Sequence, residues 1–253
     1  MAQLVGLRLP HCRRSMSVLS QSSVRNRLLA ALPAGDFALI RPHLEPVLLC
    51  QSDVIIQAHA SIGYVYFLEA GVTSIVTRTE RGRRIEIGLV GRDGFAGVPV
   101  LLGADRTPHE TFMQIGGAAL RFSSDAFQNV LEQSPALQKL LLRFVQVFHL
   151  QTAQTAACNG SHPVGRRLAR WLLMCHDRLD GDELPLTHEF IAVMLAVRRP
   201  GVTEALQSLE SAGIIRTERR NIVVLDRRKL EETAGDSYGV PEAEYERLIG
   251  PLR

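Results

Sequence analysis

The sequence predicts an α+β fold: an N-terminal antiparallel β-roll of the jelly-roll type, a long dimerisation helix, and a C-terminal winged helix-turn-helix. Three observations carry it. Short β-rich runs alternate with glycines between Val47 and Phe122, neither proline nor glycine interrupts the chain from Ser134 to Asn159 apart from Pro135 at its start, and two short amphipathic helical patterns beyond Leu186 precede a charged hairpin. The predicted divisions are a flexible extension at 1–23, the roll at 24–133, the long helix at 134–160, the winged module at 161–232 and a tail at 233–253.

The opening Met1 to Ser23 carries Arg8, His11, Arg13 and Arg14 without the continuous apolar middle of a secretory signal, which predicts a flexible extension, with Met16 as an alternative start. A short helix is expected around Val24 to Leu32. The β-rich runs are Val47–Leu49, Val54–Ile56, Tyr64–Leu68, Val72–Thr77, Ile85–Leu89 and Thr111–Ile115, with Gly63, Gly71, Gly82, Gly91, Gly94 and Gly97 read as turns between them. Short, regularly spaced strands of this kind fold into a small antiparallel roll that often encloses a pocket.

Ser123-Ser124-Asp125 offers a helix start, and the uninterrupted stretch that follows spans close to 40 Å at about 1.5 Å per residue. Leu137, Leu140, Leu141, Phe144, Val145, Phe148 and Leu150 crowd its first half. That apolar surface is broader than one roll needs, so a second copy of the chain is expected to cover the remainder. Gly160 and His162-Pro163 mark a hinge, after which Gly165 to Cys175 form an amphipathic helix.

In the C-terminal module Thr187 caps a first helix, whose buried side is Phe190, Ile191, Met194 and Leu195. A second helix begins near Arg199, because Pro200 suits the first helical turn. On a helical wheel Val202, Ala205, Leu206 and Leu209 share one face, while Pro200, Glu204 and Gln207 lie opposite with Thr203 at their flank. Gly213 ends this helix, and Ile214 to Leu225 make two β-rich runs around Arg219 and Arg220. A helix-turn-helix lays its second helix in the DNA major groove, so the polar face is the candidate base-reading surface.

Composition bounds the alternatives. A chain of 253 residues, 46% hydrophobic, buries a sizeable core and accommodates more than one domain. The net charge of +3 is modest, so DNA electrostatics must come from local clustering of Arg166, Arg167, Arg170, Arg198, Arg199, Arg219 and Arg220. No apolar run reaches the roughly 18 residues of a membrane span. Cys12, Cys50, Cys158 and Cys175 are scattered, which predicts a reduced cytoplasmic chain, with the last three as buried small hydrophobes and no cysteine-held cluster. The histidines lack metal-ligand spacing, and no nucleophile elbow, phosphate loop or dinucleotide fingerprint occurs. No catalytic site, metal or cofactor is therefore predicted.

The order of parts, together with Arg167–Leu173, Leu186–Ile191, Val202–Leu206 and Leu209–Ile215, resembles the Crp/Fnr family of bacterial transcription regulators from about Asn26 to Leu230. The resemblance implies a homodimer whose roll senses a signal, whose long helices pair, and whose winged heads bind a two-fold double-stranded DNA operator. An activator of this type also meets RNA polymerase. Carried over, the base-reading positions fall on Arg199, Pro200 and Glu204, with Thr187, Arg198 and Thr203 near phosphates. The cyclic-AMP-type pattern has glutamate where Pro200 stands and arginine where Glu204 stands, so the operator is expected to differ.

The effector region departs further. Where cyclic-nucleotide binders carry Gly-Glu, Gly97 is followed by Val98 and Pro99, and the phosphate-pairing arginine falls near Pro108-His109, with Arg106 two residues away. Gln151 and Thr152 fall where the family's long helix meets the purine. Without the ribose carboxylate and the paired guanidinium, cyclic AMP is not expected to bind, and the small-molecule effector is unidentified. Two rival readings are a haem, redox or nucleotide sensor of the same fold, with His149 as the haem candidate, and a non-enzymatic roll acting on a protein partner.

Overall fold

The computed structural model describes residues 19–80 and 82–252. The predicted extension up to residue 18, with Cys12, lies outside the described residues. Its last residues, 19–23, are anchored: Gln21 Nε2 donates to the carbonyl of Leu32 at 2.8 Å. The helix expected around Val24 to Leu32 is the single turn α1 (Arg27–Ala30), capped by Asn26, whose side chain accepts from Leu29 N–H. The sequence pattern does not reveal a second short helix, α2 (Ala34–Ile40).

Eight strands build the roll: β1 (Glu45–Leu49), β2 (Val54–Ile56), β3 (Tyr64–Leu68), β4 (Val72–Arg78), β5 (Arg84–Val90), β6 (Phe95–Ala96), β7 (Glu110–Ile115) and β8 (Gly117–Ser123). They form two four-stranded antiparallel sheets in the orders β1-β8-β3-β6 and β2-β7-β4-β5. β6 and β8 are not anticipated from the sequence, the first being too short to show a period. Helix α3 (Val98–Leu101) follows Gly97, whose φ of +114° is open to glycine.

Helix α4 (Ser124–Gln133) precedes α5 (Pro135–Ser161), the long helix, which Ser134 caps by accepting from Leu137 N–H at 3.1 Å. Gly160 does not break it. The break falls at His162, held extended by the following proline. Gly94 is less a turn than a seat: a Cβ there would meet the Phe144 ring at 2.2 Å, so glycine lets α5 press on the backbone after β5.

The C-terminal module comprises α6 (Val164–His176), β9 (Glu183–Leu184), α7 (His188–Met194), α8 (Arg199–Ser211), the hairpin β10 (Ile215–Glu218) and β11 (Asn221–Val224), and α9 (Arg227–Ala234). The last helix, α10 (Val240–Leu248), lies in the tail. Tyr245 and Leu248 dock on the core of the roll and α5, not on the winged module, because the chain returns from α9 across α5. The same return also covers part of the apolar surface of the long helix. Leu137, Leu140, Leu141 and Phe144 are buried and Val145, Phe148 and Leu150 half-buried within this one chain, so its apolar surface is largely covered without a partner.

Two cores result. One fills the roll and includes α1, α2, α4, α5 and α10. The other joins the outer face of the β2-β7-β4-β5 sheet, through Val72, Val76, Leu89, Phe112 and Ile115, to the C-terminal module. This explains why β7 is buried on both faces and why every residue of α6 from Leu168 to His176 is buried. Polar groups cross the junction as well. Arg178 Nη2 pairs with Asp93 Oδ2 at 2.7 Å, both nearly inaccessible, and Trp171 Nε1 donates to Glu86 Oε1 at 2.6 Å.

Candidate nucleic-acid interface

The helix-turn-helix is built by local rules. Thr187 Oγ1 accepts from Phe190 N–H at 3.1 Å and starts α7. At its other end Val197 N–H donates to Ala192 O at 3.0 Å and Ala196 N–H to Val193 O at 3.1 Å, the paired bonds of a Schellman cap. The cap needs a left-handed residue, and Ala196 supplies it with φ +53°. Arg198 then sits extended as the residue before α8, and Pro200 occupies the first turn, where a missing N–H goes unnoticed.

Burial divides α8 along the expected seam. Val202, Ala205, Leu206 and Leu209 are buried, while Arg199, Pro200, Glu204 and Gln207 are exposed. Ser208 and Ser211 are exposed too, and the same wheel that places Glu204 puts them on this face. Thr203 is half-buried and its hydroxyl donates to Arg199 O at 3.2 Å, with His188 Nδ1 at 3.4 Å. The wing is tied to the far end of α8: the Glu210 carboxylate accepts from Thr217 N–H at 2.7 Å and from its hydroxyl at 2.8 Å, bonds that hold its pKa below the ordinary value.

Arg219 and Arg220 form the exposed tip between β10 and β11, Arg220 at φ +62°. Among the described residues no ion pair engages Arg198, Arg199, Arg219 or Arg220. Their charge is free to meet an anionic partner. The arginines of α6 are different, and here the expected basic cluster is corrected. Arg170 is buried, donating to Thr155 Oγ1 at 3.1 Å and Gln151 O at 3.3 Å; Arg167 donates to Leu195 O; Arg166 pairs with Asp236 at 3.1 Å. Arg170 and Arg167 tie α6 to α5 and α7, while Arg166 remains partly exposed in a surface pair with the residues after α9.

The effector residues predicted from the sequence fall in several settings. Gly97 is buried against Val65, and Val98 opens α3. Arg106 is exposed and pairs with neighbouring Asp105 at 2.8 Å. His109 is half-buried, and desolvation lowers its pKa. Gln151 is buried at the other side of the roll, where its Oε1 accepts from Leu89 N–H at 3.0 Å, and Thr152 donates back to Phe148 O at 3.0 Å. Gln151 also accepts from Arg170 through its carbonyl, and no hydrogen bond or ion pair among the described residues joins Arg106 to Gln151. His149, the haem candidate, is exposed on α5, and Cys50 is exposed rather than buried, being at the end of β1.

Residues 46–134 match the family model of the cyclic nucleotide-binding domain, and residues 166–233 match that of the Crp-like helix-turn-helix domain. The chain belongs to the Crp/Fnr family. It is a transcription regulator of that type, the roll corresponding to the first model and the helix-turn-helix with its wing to the second. A curated relative, the global nitrogen regulator of Nostoc sp. strain PCC 7120, is 26% identical over 171 residues, 63% of this chain and 76% of that protein. The fold is shared with a CRP-family transcriptional regulator from Thermus thermophilus, with a TM-score of 0.64 at 22% identity over 75% of this chain and 97% of that one. It is shared also with FixK2 of Bradyrhizobium japonicum, with a TM-score of 0.66 at 16% identity over 76% and 98%. No described helix of this Crp/Fnr chain is long and apolar enough to cross a membrane.

Proposed function

We propose that this Crp/Fnr-family chain is a homodimeric, sequence-specific DNA-binding regulator whose two α8 helices enter successive major grooves of a two-fold operator. The single observation that carries this is the division of α8: Arg199, Pro200, Glu204 and Gln207 stand exposed while the opposite face is locked in the core. In this arrangement Arg199 reads guanine through its paired donors, and Glu204 accepts from cytosine N4. Thr187, Arg198 and Thr203, with Arg219 and Arg220 of the wing, flank the phosphates. Pairing of two copies uses the face of α5 left open by the roll and α10, where Leu142, His149, Ala153, Ala156 and Gly160 are exposed.

The roll's effector, in the same proposal, is not a cyclic nucleotide. Gly97 leads into Val98 and Pro99, which offer no carboxylate to a ribose, and nearby Arg106 is held outward by Asp105. Titration calorimetry with cyclic AMP and cyclic GMP tests this, and a micromolar constant for either overturns it. For the DNA reading, selection of binding sites from random duplexes should return an inverted repeat. Its log affinity should fall linearly with log salt, as phosphate contacts require. A chain that enriches no sequence and binds no duplex at low salt would instead favour the protein-partner role.

A further inference from the structure

Residues after 233 lie outside both family models, yet they bond to the roll, to α5 and to the C-terminal module. At the helix-turn-helix end the Tyr238 hydroxyl donates to Asp177 Oδ2 at 2.8 Å and accepts from Arg227 at 2.7 Å, while Gln154 of α5 donates to Asp236 O at 3.2 Å. Glu242, whose carboxylate accepts from Gly239 N–H at 2.9 Å, fixes the start of α10. On the roll side Tyr245, 1% exposed, donates its hydroxyl to Asp93 O at 2.8 Å. Arg27 and Arg143 hold the carbonyls of Pro251 and Leu248, and Leu252 is buried.

We propose that residues 235–252 are an autoinhibitory strap, which holds the helix-turn-helix module against the roll and must be displaced before that module docks fully on DNA. Asp93 is the hinge pin of this arrangement. Its carboxylate pairs with Arg178 of the C-terminal module while its carbonyl receives Tyr245, so the strap braces a fully buried ion pair that crosses the junction. A buried pair left unbraced is costly to keep aligned.

The braced position brings the roll against the helix that a DNA backbone must pass. Phe190 of α7 stacks edge-on to Phe112 of β7 at 6.2 Å, and an open cleft of about 380 Å³ separates Thr187, Glu189 and Val193 from Arg84 at the start of β5. In a helix-turn-helix the first helix crosses the phosphate backbone. With the module held here, Arg84 and Phe112 of the roll line one side of the cleft along α7 and narrow the approach.

The inhibitory half of this inference rests on the DNA-binding reading; the holding half does not, and the protein carries its own probe for it. The chain's one tryptophan, Trp171, lies in the junction against Glu86. The experiment compares the full chain, a chain ending at Ala234, and Tyr245→Phe, which loses only the bond to Asp93. Trp171 emission, its quenching by acrylamide, the thiol reaction rate of buried Cys175, and affinity for a mixed-sequence DNA duplex are measured on each. The shortened chain should keep its far-ultraviolet dichroism, show red-shifted and several-fold more quenchable Trp171, and bind DNA about tenfold more tightly, within the usual range of intramolecular coupling. A synthetic peptide of residues 235–253 added back should reverse both changes, and Tyr245→Phe should move them part of the way. Unchanged Trp171 and Cys175 protection in both variants would overturn the strap. Exposed Trp171 with unchanged or weaker DNA binding would overturn its inhibitory role, and absence of DNA binding by every chain, the full one included, would convict the DNA reading rather than the strap. Should the shortened chain fail to fold, Tyr245→Phe decides.

Discussion

At the residue scale the junction turns on one proton. The Ser74 hydroxyl lies 2.6 Å from Glu86 Oε2 and 2.5 Å from Gln114 Oε1, and Gln114 Nε2 donates to Cys175 Sγ at 3.3 Å. A serine hydroxyl has one hydrogen to give. If it goes to Gln114, the Glu86 contact requires a protonated carboxyl donating to Ser74, and burial does push the Glu86 pKa up to about 7. The hydrogen bonds from Ser74 and Trp171, and the charges of Arg170 and Arg178, oppose that rise without cancelling it. Because the folded pKa lies above the ordinary carboxylate value, the stabilisation from the bound proton is complete below about pH 4.5 and is lost as pH rises through 7. The loss amounts to about 3 kcal/mol at about 1.4 kcal/mol per unit. Glu86→Gln supplies the same donor and acceptor permanently, so denaturant melts of this variant from pH 5 to 8 should lose that slope; an identical slope would assign the pH dependence elsewhere. On α8, Arg199→Ala should reduce discrimination between selected and random DNA by about 1 to 3 kcal/mol, whereas equal weakening on both would make Arg199 a phosphate contact.

At the element scale the most testable compromise is the turn between α7 and α8. Ala196 holds the left-handed position of a Schellman cap at φ +53°, where a Cβ is disfavoured and glycine is not. Ala196→Gly should therefore raise unfolding stability by about 1 kcal/mol, read from the denaturant midpoint, and a lower midpoint would mean that chain entropy outweighs the relieved strain. The turn also shows what a sequence reveals. The faces of α8 are legible because a thirteen-residue amphipathic helix repeats its pattern over several turns. β6 and β9, two residues each, repeat nothing, and α2 lacks the length to declare a period. Gly94 looks like punctuation, yet it is there so that Phe144 can approach, a contact some fifty residues away in the chain that no local pattern encodes. Arg166, Arg167 and Arg170 mislead for the opposite reason. Local composition makes them a basic patch, and only tertiary packing buries Arg170, half-buries Arg167 and pairs the partly exposed Arg166 with Asp236.

At the scale of the whole molecule the division of labour on α5 decides what a second copy can do. The roll takes the face carrying Leu137, Leu141, Phe144 and Gln151, and α10 lies against a second face along Lys139, Arg143 and Gln146, with the exposed Leu142 at its border. What remains exposed runs from Leu142 through His149 and Ala153 to Ala156 and Gly160, a spacing of three, four and seven residues that keeps one side of the helix. Small residues toward the C-terminal end let two such helices approach closely beside the helix-turn-helix modules, while Leu142 supplies apolar contact nearer the roll. If two copies pair there, each α8 is fixed at one distance from its twin, and the operator must present its half-sites on one face of the duplex, about 34 Å or one helical turn apart. Inserting about five base pairs between selected half-sites turns one of them to the far side and should reduce affinity to that of a single half-site, while about ten should restore part of it. Leu142→Glu should shift sedimentation toward monomer and erase this phasing while leaving single-half-site binding intact. Phasing that survives Leu142→Glu, with the dimer undiminished, would move the pairing surface off α5 altogether.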